Sequence, residues 1–115
     1  MLKCITREAL KMMIDRNEDF ILVDVLSPES YEEEHIPGSI NIPLEDIENK
    51  AKELLKKDKE IVAYCGSFQC TISSQATEKL TELGYKDVYC FEGGLQHWKD
   101  AGFSLECSKY AKAVG

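Results

Sequence analysis

IVAYCGSFQCT, at residues 61–71, passes from a short apolar run into a turn-rich segment. Four consecutive apolar residues bounded in this way are typical of a strand that is buried on both faces. A helical pattern follows at about residues 73–83, and Gly84 is well placed to end it. A strand, a loop and a helix in this order form the repeating unit of an α/β domain.

Similar units lie on both sides of this one. Short apolar runs that predict further strands occur at residues 4–5, 20–25, 39–42 and 88–91. Amphipathic patterns predict helices after Thr6, at residues 29–34 and 45–56, and through Trp98 to about Ala101. The alternation of strands and helices predicts an α/β domain with a largely parallel sheet.

Length and charge narrow the class of protein. The chain of 115 residues is long enough for one core, so residues 1–115 are expected to form a single domain, with 106–115 as a peripheral tail. Its net charge of −7 argues against nucleic acid and anionic membranes as partners. No apolar stretch approaches the roughly 18 residues that span a bilayer, and residues 1–16 do not resemble a signal peptide. A cytoplasmic location is therefore expected.

Cys65 has the most informative position of the five cysteines, which show no disulfide framework. It follows a central strand and precedes a helix, where active sites of open α/β sheets lie. Loop N–H groups and the positive end of the helix would favour its thiolate, so a pKa below the usual value of about 8.5 is expected. Ser67, Thr71, Ser73 and Ser74 add nearby hydroxyl groups. The alternative is a small apolar residue that only ends the strand.

The chain resembles single-domain rhodanese-like proteins over about residues 6–103. The resemblance rests on the order and spacing of several segments: LVDV at 22–25, HIPGSINIP at 35–43, VAYC at 62–65, LGY at 83–85, and EGGL at 92–95 with Trp98. It implies an α/β fold with about five mainly parallel strands and helices on both faces. It also implies that Cys65 accepts a sulfane sulfur and passes it to a thiol or another nucleophile.

The same resemblance implies a sulfurtransferase or persulfide carrier that needs no cofactor or metal. The donor would be thiosulfate, a persulfide or a polysulfide, and the acceptor a thiol or a thioredoxin-like protein. Cys65 is the expected catalytic residue. The expected substrate-binding loop consists of Gly66, Ser67, Phe68, Gln69, Thr71, Ile72 and Ser73.

The loop departs from the pattern of the family, in which an arginine follows the cysteine after four residues. Cys70 stands at that position when one counts from Cys65, and Ile72 when one counts back from Gly84; no Lys or Arg occurs at residues 66–75. The loop is also two residues longer, when it is counted back from Gly84. Because guanidinium is the preferred clamp for doubly charged oxyanions, thiosulfate is expected to bind weakly here. A phosphatase needs such a clamp even more, which argues against that activity.

Cys70 is a candidate resolving thiol. Its attack on a Cys65 persulfide would release sulfide and leave a Cys65–Cys70 disulfide for a thioredoxin-like partner to reduce. The alternative is that Cys70 simply packs under the loop. A zinc site would need further ligands, such as Cys90 or a histidine, and is not favoured.

Other polar residues are given structural roles. His35 is interpreted as a hydrogen-bonded turn residue, His97 as a surface residue, and Asp24 as the anchor of a loop through backbone N–H groups. The segment at residues 92–94 is interpreted as a turn with a cap, and Trp98 as part of the core.

Three functions remain open from the sequence. The first is sulfur transfer through Cys65. The second is a non-catalytic binding module that keeps the fold, which the missing arginine favours and the retained cysteine opposes. The third is a dithiol redox protein that uses Cys65 and Cys70.

Overall fold

The apolar runs form a parallel sheet in the computed structural model, which describes residues 3–107. The strands are β1 (Phe20–Asp24), β2 (Ile40–Asn41), β3 (Glu60–Tyr64) and β4 (Val88–Phe91). Their order across the sheet is β2-β1-β3-β4, and every neighbouring pair is parallel. The predicted α/β class with a parallel sheet is confirmed.

The strand predicted at residues 4–5 is reduced to a single bridge. Cys4 pairs in parallel with Cys90, and the N–H of Ile5 donates to the carbonyl of Cys90 over 3.0 Å. The next residue, Thr6, already caps a helix by accepting the N–H of Ala9 over 3.1 Å. The chain therefore turns into the helix before a strand can lengthen, and the sheet within residues 3–107 has four strands, not five.

The helices are α1 (Arg7–Asp15), α2 (Pro28–Glu33), α3 (Ile47–Leu54), α4 (Ile72–Glu82) and α5 (Gly94–Asp100). A 3₁₀ turn at Leu44–Asp46 replaces the first residues of the helix predicted at 45–56. Pro43 precedes this turn, and its fixed backbone suits a turn better than a continuous helix. Gly84, at φ +100°, follows the end of α4 as predicted.

The two faces of the sheet carry separate apolar clusters. On one face, Ile47 and Ala51 of α3 and Ala76 and Leu80 of α4 pack against the strands. On the other face, Leu10 of α1 packs with Leu95 and Trp98 of α5. Helices therefore cover both faces, as predicted, and Trp98 is a core residue as interpreted from the sequence.

The strand order places a topological switch at the carboxyl end of the sheet, between β1 and β3. The chain leaves β1 toward β2 on one side and later enters β3 on the other. The N–H of Val25, just after β1, donates to the carbonyl of Tyr64 over 3.1 Å, so the two strand ends stay together. Cys65 is the first residue after β3 and thus stands at the position where open α/β sheets bind ligands.

The end of the described chain returns to the body of the domain. Glu106 and His35 exchange backbone hydrogen bonds of 2.9 and 2.8 Å in an antiparallel bridge. The rest of the predicted tail, residues 108–115, lies outside the described residues. Between residues 3 and 107, the helices are all too short or too polar to cross a membrane.

Candidate active site

Cys65 lies at the floor of the loop between β3 and α4. Its side chain is fully buried on the sheet face covered by α3 and α4. The thiol contacts the Ser73 hydroxyl at 3.3 Å and the Cys70 carbonyl oxygen at 3.5 Å. The loop and the first turn of α4 thus hold the sulfur from opposite sides.

The first turn of α4 lacks a side-chain cap. Thr71 occupies the cap position, but its hydroxyl accepts a hydrogen bond from the Gln75 amide over 3.0 Å. The first N–H groups of a helix have no partner within the helix and are free to bind other groups. The N–H of Ser73 interacts with the Cys65 sulfur, and the N–H of Ile72 interacts with the Cys70 sulfur.

The expectation that Cys65 has a lowered pKa is wrong. Burial raises the pKa of this thiol, and its hydrogen bond to Cys70 raises it further, against the opposing effect of the hydroxyl and N–H of Ser73. The thiolate is disfavoured because the sulfur has no contact with water. In the resting state Cys65 is therefore the protonated partner, which donates its hydrogen.

The pKa of the Cys70 thiol is shifted in the opposite direction. Burial raises the pKa of this thiol, but the hydrogen bond from Cys65 and the N–H groups of Ile72 and Gly66 outweigh it, so the net pKa is lowered. Cys70 is also partly exposed to solvent, in contrast to Cys65. The interaction between the two thiols thus favours the thiolate of Cys70 over that of Cys65.

Ser73 connects the site to a third thiol. Its hydroxyl lies 3.3 Å from the sulfur of Cys65 and 3.3 Å from that of Cys90, on the neighbouring strand. Ser73 and Cys90 are both fully buried. The Ser73 hydroxyl thus lies between the sulfurs of Cys65 and Cys90, but Cys90 itself has no access to solvent.

Helix α5 docks directly on the backbone of the cysteine loop. The N–H of Leu95 donates to the Cys65 carbonyl over 3.0 Å, and the N–H of Gln96 donates to the Gly66 carbonyl over 2.9 Å. Gly94 adopts φ +60°, and a Cβ there would lie 2.4 Å from the Cys65 carbonyl oxygen. The glycine interpreted from the sequence as part of a turn is therefore also needed for this close approach.

The outer rim of the loop is aromatic. Phe68 is 64% exposed, and its ring lies 4.9 Å from that of His97 on α5. Arg7 of α1 contacts His97 through its ring nitrogen Nδ1 at 3.2 Å and donates to its carbonyl over 3.0 Å. His97, interpreted from the sequence as a surface residue, lies half-buried between α1 and the loop. Sequence reasoning had no signal for this contact, because Arg7 and His97 are far apart in the chain.

Two cavities flank Phe68. One of about 280 Å³ lies on the side of α1, between Cys4, Phe91, Glu92 and His97. The other, of about 190 Å³, lies against α5 and includes Ser67, Gln69 and Gln96. A larger groove of about 460 Å³ lies between α3 and α4, away from the two cysteines. The cavities beside the loop offer room for the body of a donor or acceptor molecule.

The predicted loop residues are thus separated into three groups. Ser73, Ile72 and Gly66 contact the sulfurs through the groups described above. Phe68, Gln69 and Ser67 line the cavities of the rim, and the Ser67 carbonyl also accepts the N–H of Cys70 over 3.1 Å. The remaining hydroxyls point to other partners, since Thr71 binds Gln75 and Ser74 lies 3.9 Å from the Cys90 sulfur.

The structural roles of Asp24 and His35 are confirmed. Asp24 accepts the N–H of Leu26 over 2.9 Å, and the Nδ1 atom of His35 lies 2.7 Å from the Tyr31 carbonyl. Burial raises the pKa of Asp24 to about 6, although the Leu26 N–H opposes it. The described residues contain no group of three or more side chains arranged to bind a metal ion.

Comparison with known proteins identifies the family. The profile of the rhodanese-like domain matches residues 6–101. The chain belongs to the rhodanese-like family. The solution structure of the rhodanese-like domain of the Anabaena sp. Alr3790 protein superimposes with a TM-score of 0.85 at 28% identity, over 97% of this chain and 84% of that one.

Curated relatives of this rhodanese-like chain carry names from sulfur chemistry. It is 36% identical to the putative sulfur carrier protein YrkF of Bacillus subtilis over 82% of its own length and 49% of that protein. It is 31% identical to the thiosulfate sulfurtransferase GlpE of Coxiella burnetii over 73% of its length and 76% of that protein. The chain thus spans about half of the first relative. These names support a sulfur-transfer role at the level of the family.

Proposed function

We propose that this rhodanese-like chain is a sulfurtransferase or persulfide carrier that holds a sulfane sulfur on Cys65. The observation that carries the proposal is the surroundings of this sulfur: the N–H and hydroxyl of Ser73 on one side and a second thiol on the other. An anionic persulfide needs donors of this kind. The chemistry requires no cofactor, because the thiol itself bonds the transferred sulfur.

The donor is proposed to be a persulfide or polysulfide in preference to thiosulfate. No Lys or Arg occurs at residues 66–75, so the loop, atypical for its family, offers N–H groups but no cation to a doubly charged anion. Because a persulfide brings one charge, the N–H groups suffice for it. The acceptor is proposed to be a thiol, either small or on a thioredoxin-like protein. The five free cysteines fit a reducing compartment, proposed to be the cytoplasm.

A dithiol redox protein is the second candidate, and the hydrogen bond between Cys65 and Cys70 favours it. In that case the two thiols would form a disulfide on mild oxidation, with a thioredoxin-like protein as reductant. A non-catalytic binding module remains the alternative in which neither cysteine reacts.

Mass spectrometry of the intact protein after incubation with a polysulfide tests the proposal. The reduced protein is expected to gain one sulfur mass, which peptide mapping should locate on Cys65, and Cys65→Ser is expected to lose the adduct at this position. Cys107→Ser, which removes an exposed thiol away from the loop, serves as the matched control and should load normally. A wild-type protein that gains no sulfur from thiosulfate, persulfide or polysulfide would refute sulfur transfer. A Cys65–Cys70 disulfide as the sole product would favour the redox candidate instead.

A further inference from the structure

We propose that Cys70 is the entry thiol of the loop, which takes the sulfur from the donor and hands it to Cys65. This inference rests on the proposed function and adds the order in which the two cysteines act. It is carried by three observations on the described residues: the exposure of the two sulfurs, the groups that surround each of them, and the contact between them.

Access to solvent distinguishes the two thiols. Cys65 has no exposed surface, so a donor outside the protein has no path to its sulfur while the loop keeps this conformation. Cys70 is partly exposed, and its neighbours Gln69 and Thr71 are exposed. A thiol–disulfide type of exchange requires the attacking sulfur to reach the outer sulfur of the donor in line with the breaking bond. Because Cys70 is partly exposed, it is the thiol of the pair that a donor can approach in this conformation of the loop.

The groups around the two sulfurs also favour the thiolate of Cys70 over that of Cys65. The N–H groups of Gly66 and Ile72 and the thiol of Cys65 all face its sulfur and lower its pKa against the effect of burial. For Cys65, burial is the dominant influence and raises the pKa. Since the thiolate and not the thiol is the nucleophile, Cys70 is the sulfur that is ready to attack.

The first step is the attack of the Cys70 thiolate on the outer sulfur of a donor persulfide, R–S–SH. The new bond joins Cys70 to the outer sulfur, and the S–S bond of the donor breaks. The electron pair of that bond leaves with R–S⁻, which takes up the proton of the outer sulfur. The products are the Cys70 persulfide anion and the thiol R–SH, so charge and oxidation level are conserved.

The second step moves the sulfur inward. The Cys65 thiol, which lies beside Cys70, passes its proton to the terminal sulfur of the Cys70 persulfide. The Cys65 thiolate then attacks that terminal sulfur, and the Cys70 thiolate leaves. Cys65 ends as the persulfide beside Ser73, and Cys70 returns to its starting state.

The opposite pKa shifts of the two thiols suit this direction. A thiolate of higher pKa is the stronger nucleophile, and one of lower pKa leaves faster. Cys65 attacks in the second step and Cys70 leaves, so each has the property that its role requires. Ser73 then supplies the N–H and hydroxyl that hold the sulfur on Cys65.

Rapid-quench loading with glutathione persulfide tests the order of the steps. After quenching with iodoacetamide, peptide mapping locates the added sulfur in the wild type, Cys65→Ser, Cys70→Ser and the control Cys107→Ser. We expect Cys65→Ser to hold the sulfur on Cys70. We expect Cys70→Ser to load Cys65 at least about ten-fold more slowly than the wild type, because the buried thiol waits for the loop to open. Cys107→Ser should match the wild type.

Two results would overturn the relay while leaving sulfur transfer intact: a Cys70→Ser protein that loads Cys65 at the wild-type rate, or a Cys65→Ser protein with no sulfur on Cys70. Sulfide release with a Cys65–Cys70 disulfide in the wild type would also overturn it, since Cys65 would then have attacked the inner sulfur. Absence of sulfur from every variant and from the wild type would refute the proposed function itself.

A measurement on the unaltered protein removes any dependence on folding of the variants. Limiting iodoacetamide, followed by peptide mapping over a series of pH values, reports the order in which the thiols react. Cys70 is expected to be alkylated before Cys65 at every pH at which the protein is folded. Alkylation of Cys65 first would contradict the assignment of Cys70 as the entry thiol.

Discussion

A methyl group at position 94 would lie 2.4 Å from the carbonyl oxygen of Cys65 and 2.8 Å from its carbonyl carbon. These are backbone atoms, so they cannot move aside as a flexible side chain can. At the scale of one residue, the conformation of the cysteine loop thus depends on a residue of α5 that has no side chain. The N–H of Leu95 donates a hydrogen bond to the same carbonyl, so α5 and the cysteine loop are held at this short distance.

Gly94→Ala is therefore expected to destabilise the protein and to slow its sulfur loading. The left-handed backbone alone costs a residue with a Cβ about 1–2 kcal/mol, and the displaced Cys65 carbonyl adds to this. Gly102→Ala is the matched control, because Gly102 has φ +79° but open space around it. Urea unfolding should show the backbone cost in both variants. The rate of mass gain, which reports sulfur loading, should be lower only in Gly94→Ala. Equal loading rates would contradict the role of the contact.

At the scale of elements, β3 carries a polar link on the face opposite to Cys65. The Tyr64 hydroxyl is buried, accepts the N–H of Ile36 over 3.0 Å, and lies 3.0 Å from the Ser39 hydroxyl. It thus ties the end of β3 to the turn that precedes β2. Successive residues of a strand point to opposite faces, so Tyr64 supports the edge of the sheet while Cys65 faces α4.

Tyr64→Phe tests this link. Loss of the hydroxyl leaves the buried Ile36 N–H without its acceptor, which is expected to lower the free energy of unfolding by about 1–3 kcal/mol. Sulfur loading on Cys65 should remain close to that of the wild type, since the hydroxyl lies on the other face. Ser39→Ala removes a partner of the Tyr64 hydroxyl and also the 2.7 Å hydrogen bond to the Ile36 carbonyl, so it should destabilise the fold in the same urea titration as well. An unchanged midpoint for Tyr64→Phe would show that the link does not stabilise the fold.

At the scale of the whole molecule, Asp24 couples stability to pH. One of its oxygens, Oδ2, is buried without a hydrogen-bond partner, and burial raises the pKa of the carboxyl from 3.8 to about 6. Below about pH 4 the carboxyl is protonated in both the folded and the unfolded chain. Between about pH 4 and 6 the folded state binds more protons, so the contribution of Asp24 to stability falls as pH rises.

Asp24→Asn removes this titration. The free energy of unfolding of the wild type, relative to that of Asp24→Asn, is expected to fall by on the order of 2–3 kcal/mol between pH 4 and pH 7. Urea unfolding of both proteins at several pH values measures the difference, with Asp58→Asn, an exposed position, as the control. A difference between wild type and Asp24→Asn that stays constant with pH would contradict a raised pKa.

The local pattern of the chain was enough to predict the four strands of the sheet and their largely parallel pairing, although not their order. Apolar runs at residues 20–23 and 61–64 became β1 and β3 because strands buried on both faces must be apolar throughout. The position of Cys65 at the end of β3 followed from the same pattern. The strand at residues 4–5 was overestimated, since the cap at Thr6 begins α1 before the pairing can extend beyond Cys4.

The sequence by itself determined the class of fold, the place of Cys65 and the presence of a second thiol in its loop, because each depends on residues that are close in the chain. Only the tertiary structure decided which of the two thiols has the lowered pKa. That choice depends on the burial of Cys65 under α4 and on which N–H groups face each sulfur. The tertiary structure also decided the contacts of Gly94 and His97 with the loop, because these contacts join segments that are distant in the sequence. Such electrostatic and steric effects depend on distances in space that local residue patterns do not encode.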